Sequence, residues 1–213
     1  MGMQIPVKSS RPRRRSQEER RRGTQNAILN ATLEVLIRDG YEGFTTTRVA
    51  QTAGVSRGAQ ENYFRTKDEL ILAATRYALA QAAEHAEILA SGAARSDDPV
   101  TKFLADSQSF FFSNNYLALL EIIVAARHRP ILARTNTPIV KEFRQLLNAI
   151  WIDALCKAGY ERTSVETFIK MTHYLLRGMA LTSLWHPQQS EYRALLSEWR
   201  RMGRSQLKLT RKA

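Results

Sequence analysis

Apolar side chains recur every three or four positions along most of this chain. From Gln25, the residues Ile28, Leu29, Leu33, Leu36 and Ile37 mark one face of a helix that Asp39-Gly40 stops. Thr45 can cap a short second helix containing Val49, Ala50 and Ala53, closed by Gly54, and a third runs from about Ser56 to Phe64. The run Thr66-Lys67-Asp68-Glu69-Leu70 then opens a long fourth helix that Ile71, Leu72, Ala73, Tyr77 and Leu79 carry to about Ala90. Ser96-Asp97-Asp98-Pro99 forms the clearest break, where a new domain is expected, and Pro99 suits the first turn of the next helix. Periodicity resumes over 103–112, 117–126, 139–155, 165–184 and 192–202, with Arg129-Pro130, Pro138, Gly159 and His186-Pro187 as punctuation. No alternating apolar and polar run suggests a strand, and no fixed period suggests a repeat array, so an all-α fold is expected.

Ala50 to Gly58 meets the steric demands of a helix-turn-helix one by one. Ala50 is small enough for two helices to cross closely, and Gly54 supplies the backbone freedom of a tight turn. Val55 plugs the wedge between the helices, while Ser56 caps the next one. The first residues of that helix, Ser56, Arg57, Gly58 and Ala59, would then face a major groove about 12 Å wide.

The segment from Gln25 to Leu72 resembles the DNA-binding domain of the TetR family nearly position by position. The matching residues are Ile28-Leu29, Ala31, Gly40-Tyr41, Thr45, Val49-Ala50, Ala53-Gly54-Val55-Ser56, Gly58, Tyr63-Phe64, Lys67 and Leu70. The resemblance implies an N-terminal three-helix DNA-binding domain, a larger helical ligand-binding and dimerisation domain, and a homodimer on a palindromic operator in double-stranded DNA. It implies that Thr46 and Thr47, beside Thr45, approach phosphates, that helix three lies in the major groove, and that Lys67 meets the DNA backbone. Arg57, Asn62 and Tyr63 are candidates for base-edge or backbone contact, with Arg57 able to grip guanine in bidentate fashion. Two positions depart from the pattern. Gln60 replaces a usual leucine and is either a half-buried spacer or a reader. Glu61 replaces a tyrosine and either reads a cytosine amino group or pairs along the helix with Arg57 or Arg65.

Charge sharpens this picture. The net charge is +12, and residues 1–22 hold eight basic against two acidic side chains, half of the excess. Such a segment, with few apolar residues, is expected to be a flexible basic arm that either follows the DNA or aids solubility. The expected organisation is thus an arm over 1–22, a DNA-binding domain over 23–70, and an effector-binding and dimerisation domain over 71–213 with 71–90 as linker. A membrane-surface module would need an apolar face beside the arginines, and 11–22 has none. No Gly-rich phosphate loop, His-Glu-x-x-His or serine elbow marks an enzyme. The lone Cys156 gives neither a disulfide nor a zinc signature. A cytoplasmic protein without cofactor or metal is expected.

Aromatic residues are dense in the second half, enough to line a cavity or to fill a core. Phe110, Phe111, Tyr116, Trp151, His173, Tyr174 and Arg177 are the candidate effector residues, with His173 and Arg177, one turn apart, either gripping an anionic group or serving a dimer seam or polar face. Arg127-His128-Arg129 reads as a helix end. The last two helices carry apolar stripes suited to a four-helix dimer seam. A repressor released by a small molecule is the expected function, with a constitutive DNA binder as the alternative.

Overall fold

The computed structural model describes residues 16–209. The first fifteen residues of the predicted arm, and Arg211 and Lys212 at the other end, lie outside the described residues. Within them the chain forms α1 (Gln17–Gly43), α2 (Thr46–Thr52), α3 (Arg57–Tyr63), α4 (Lys67–Ala93), α5 (Pro99–Phe111), α6 (Asn114–Ala126), α7 (Pro130–Lys157), α8 (Arg162–Thr182) and α9 (Gln189–Gln206). The one pairing of extended backbone among these residues is a bridge between Tyr160 and Leu209.

The chain is helical from Gln17, so residues 17–22 are not part of a flexible arm. Their stability is local and polar, which apolar periodicity does not register. Ser16 Oγ accepts from the Glu19 amide at 3.1 Å, the Glu19 carboxylate accepts from the Ser16 amide at 2.7 Å, and Glu18 pairs with Arg22 at 2.8 Å. Gly40, with φ 66°, breaks the helix where expected.

A second correction concerns Pro138, which does not interrupt α7. Proline inside a helix removes one hydrogen bond and costs about 3 kcal/mol. Here the helix lies along α4, burying Leu132, Phe143, Trp151 and Leu155. Near the proline, Thr75 of α4 donates to Asn136 Oδ1 at 2.8 Å in a fully buried contact. That packing keeps the helix continuous through the defect.

The break before Pro99 is a loop and does not separate two cores. Ala118, Ile122 and Ala125 of α6 and Leu132 of α7 pack in the same cluster as Ile28, Leu36, Val49 and Leu70 of the N-terminal helices. Helix α4 threads the molecule: its first half joins that cluster, Leu79 and Ala83 join Leu119 and Phe143, and Ala90 and Ala93 join Phe103 and Trp151. Among the described residues, no single helix is long and apolar enough to cross a membrane.

Candidate nucleic-acid interface and sensor cavity

Local hydrogen bonds build the turn between α2 and α3. Thr45 Oγ1 accepts from the Arg48 amide at 3.2 Å and Ser56 Oγ from the Ala59 amide at 3.1 Å, so each short helix has its own N-cap. Between them Gly54 takes φ 67°, and the Val55 amide donates to the Ala50 carbonyl at 3.0 Å. Ala50 is buried, and Val55 packs on the N-terminal core. Outward face Thr47, Arg57, Gly58, Glu61 and Asn62, with Thr46, Ala59 and Tyr63 half-buried beside them. A Cβ on Gly58 would meet nothing within 4 Å, which leaves the start of α3 open to an approaching partner.

Both residues that depart from the family pattern have partners within α3 and its C-terminal end. Glu61 accepts from Arg57 Nε at 2.7 Å, an exposed pair one turn apart. Gln60 is fully buried, its Nε2 donating to the Phe64 carbonyl at 2.7 Å while Oε1 has no partner. It is a spacer in the core.

Lys67 is turned inward. Its ammonium donates to the carbonyls of Tyr41 at 3.0 Å and Phe44 at 3.3 Å and lies 4.0 Å from the Tyr41 ring centroid. Burial, and secondarily the nearby Arg129 guanidinium, lower its pKa. The carbonyls freed after Gly40 need donors, and this lysine supplies them. Arg129 does more than close a helix end: it pairs with Glu42 and stacks 4.5 Å from the Tyr41 ring, tying the α6–α7 corner to the end of α1. Arg48 likewise reaches back to the Gly43 carbonyl at 2.7 Å. Sequence reasoning missed these contacts because each depends on carbonyls, a carboxylate or a ring that the chain brings into reach only once it has turned.

In the second half, Phe110, Phe111, Trp151, His173 and Arg177 line one cavity of about 60 Å3, together with Phe143 and Asp106. Two other candidates do not line it. Tyr116 packs edge-on behind Phe111, with centroids 4.9 Å apart, and Tyr174 is 67% exposed on the outer face of α8. Asp106, unmarked in the sequence by any motif, is buried here and accepts from Trp151 Nε1 at 2.7 Å, with His85 Nδ1 at 2.9 Å on its other oxygen. Burial pushes the His173 imidazole down to about 4, and the guanidiniums of Arg177 and Arg144 add to the shift, so this ring is neutral at neutral pH.

This frame, a capped helix-turn-helix at one end of a long connecting helix and an all-helical bundle around a cavity at the other, is that of the helix-turn-helix transcriptional regulators. Residues 28–74 match the family described as bacterial regulatory proteins, tetR family. The HTH-type transcriptional regulator CymR of Pseudomonas putida is 33% identical over 181 residues, covering 85% of this chain and 89% of that protein. The chain therefore belongs to the tetR family and is a transcriptional regulator. Solved structures share the fold: a tetR-family regulator from Mesorhizobium loti has a TM-score of 0.73 at 13% identity, covering 89% of this chain and 99% of its own. FadR from Bacillus subtilis, solved with stearoyl-CoA, has a TM-score of 0.62 at 18% identity, covering 84% and 96%.

Proposed function

We propose that the chain is a homodimeric cytoplasmic repressor that holds a palindromic operator and releases it when a small molecule enters the cavity beside α4. The observation that carries this reading is the course of α4. It starts at Lys67 against the DNA-binding helices and is fastened to α7 through Thr75 and Asn136. It then reaches the cavity wall through His85, Asp106 and Trp151. A ligand that displaces Trp151 or Asp106 therefore pulls on the helix that sets where α3 sits.

Dimerisation is supported by α8 and the turn after it, where Met171, Tyr174, Leu181 and Trp185 are 51%, 67%, 44% and 67% exposed at spacings of three, seven and four. Gly178 falls within that stripe, and its Cβ position is open, which suits close approach of a second helix. Two recognition helices on successive major grooves must stand about 34 Å apart. Light scattering should report about twice 24.3 kDa. A monomer at micromolar concentration that still binds a palindromic site tightly would end the dimer reading.

The switch is tested by reciprocity. A ligand that lowers operator affinity roughly 5-fold to 150-fold must itself bind operator-saturated protein more weakly by the same factor. Equal dissociation constants with and without DNA, for every ligand of the cavity, would make the protein a constitutive binder. The basic residues of 1–22 are proposed to bind DNA phosphates. Their removal should flatten the plot of log affinity against log salt by about 0.9 for each phosphate they neutralise, and an unchanged slope would assign them to solubility.

A further inference from the structure

The aromatic cavity adjoins a second hollow of about 160 Å3 at the outer face of α7 and α8, and the two share Arg144, His173 and Arg177. Gln145, Asn148, Lys170 and Tyr174 complete the lining of this vestibule, which contains three cationic side chains and no acidic one. None of the three cations pairs with a carboxylate among the described residues. We propose that the vestibule holds the anionic head of the effector, a carboxylate or a phosphate monoester, with a compact apolar body directed into the aromatic cavity. This proposal rests on the effector-release reading for its biological role, though not for its chemistry.

Three features set the orientation and the class. The inner end is closed by Asp106, whose two oxygens are already engaged by Trp151 and His85, so a second negative charge there is repelled. The outer end offers two guanidinium forks, suited to planar carboxylate or phosphate oxygens, and the neutral His173 imidazole. Arg177 also lies 5.6 Å from the Phe111 ring centroid, so the cation borders the apolar body as well as the head. Asn148 carries a buried Oδ1 without a partner in the same wall, and turning that amide presents its NH2 to an anion. The two volumes, about 60 and 160 Å3, suit a single ring with a short side arm better than a long acyl chain.

The test uses the full chain and isothermal titration with phenylacetate, phenyl phosphate and the uncharged phenylacetamide. A charge-assisted contact exceeds a neutral one by enough to favour an anion by about tenfold or more over the amide. The tighter of the two anions identifies the head group. Arg177→Gln should abolish this preference, and the solvent-exposed Arg144→Gln should reduce it while leaving the circular dichroism spectrum unchanged. An amide that binds as well as the anions, or no binding by any of the three, overturns the proposal. Operator titrations separate it from the release reading. Arg177-dependent anion binding that leaves DNA affinity unchanged upholds the vestibule and ends the release reading, whereas equal release by phenylacetate and phenylacetamide does the reverse.

Discussion

The two ends of the molecule are stabilised in different ways. At the DNA-binding end every helix begins with its own hydroxyl cap: Ser16, Thr45, Ser56 and Thr66 each accept a backbone amide three residues on. Beyond them Asp98 and Ser113 still cap α5 and α6, but the last three helices, α7, α8 and α9, have no side-chain cap at all. Exposed apolar residues are likewise unevenly placed, with Met171, Tyr174, Leu181, Leu184, Trp185, Leu195 and Met202 all on or just beyond α8 and α9. Local signals worth about 1 kcal/mol apiece therefore define the short helices that must present side chains to a duplex. The last three helices rely on long-range packing, and α8 and α9 leave apolar surface that the proposed dimer covers. A unit read by a rigid groove has to keep one shape, whereas a unit that answers a ligand has to be able to shift.

The largest effect expected from this contrast is at Trp151, which is 2% exposed and donates to a buried carboxylate. Trp151→Ala should cost about 3 to 5 kcal/mol, through the cavity it leaves and the partner it takes from Asp106. Urea unfolding measures this directly. A loss below about 1 kcal/mol would show that packing around the cavity is slack, and the contrast between the two ends would have to be redrawn.

The next effect is set by pH. His173 titrates near 4 in the folded protein and near 6.5 when unfolded, so the unfolded chain binds the extra proton first. Stability should be level above pH 6.5, fall between 6.5 and 4 by at most about 3 kcal/mol, and level off below. The groups around the ring are Arg144, Lys170 and Arg177, the Asp106 carboxylate in the same cavity, and the rings of Phe103 and Phe111. Asp39 and Asp98, held below their usual range, act only at lower pH. His173→Asn should remove the decline between 6.5 and 4, and a decline that survives the substitution would place its cause elsewhere.

How much was legible beforehand follows the same divide. Gly54, Ser56 and Thr45 could be assigned roles because each meets a demand that few residue types meet, and all three hold them in the structure. The all-α architecture was legible from periodicity alone. The cavity was legible only as composition: Phe110, Phe111, Trp151, His173 and Arg177 converge, but Tyr116 matches the same description and packs behind Phe111, and Tyr174 lines only the adjoining outer hollow. Asp106, Arg144 and Lys170 carried no local mark, since what makes them matter is which helix lies opposite. Pro138 and the start of α1 misled for opposite reasons, one a strong local breaker overruled by packing and the other a polar helix without an apolar face.

At the DNA end a binding effect comes first. Arg57→Ala should cost about 1 to 3 kcal/mol of affinity for a site selected from a random pool, and it should relax discrimination at one base pair. The Arg57–Glu61 pair does not prevent this, because breaking an exposed pair one turn apart costs only about 0.3 to 0.5 kcal/mol. Fluorescence anisotropy on single-base variants of the site is the measurement. A loss uniform across all variants would make Arg57 a phosphate contact. A smaller effect is expected from Ser56→Ala, about 1 kcal/mol of folding stability, seen as faster amide exchange over α3 with α7 unchanged.

The smallest expected effect is also the one that most narrowly tests how the recognition helix is held. Gln60 is fully buried in a unit otherwise closed by Leu70, Phe64 and Val49, and its Oε1 has no donor. An unsatisfied buried acceptor costs roughly 1 to 3 kcal/mol, while the Nε2 contact to the Phe64 carbonyl returns about 0.5 to 1.5. Gln60→Leu removes the orphaned Oε1 but takes the donor from the buried Phe64 carbonyl, and it adds apolar burial at nearly the same volume, so the net change should lie within about 1 kcal/mol of zero. Operator affinity and base preference should not change, because the side chain does not reach the outer face of α3. Urea unfolding and anisotropy on the same preparation give both readouts. A variant that is more stable yet binds DNA differently would mean that the buried amide tunes the angle of α3, and a less stable one would mean that the Phe64 contact outweighs the orphaned oxygen.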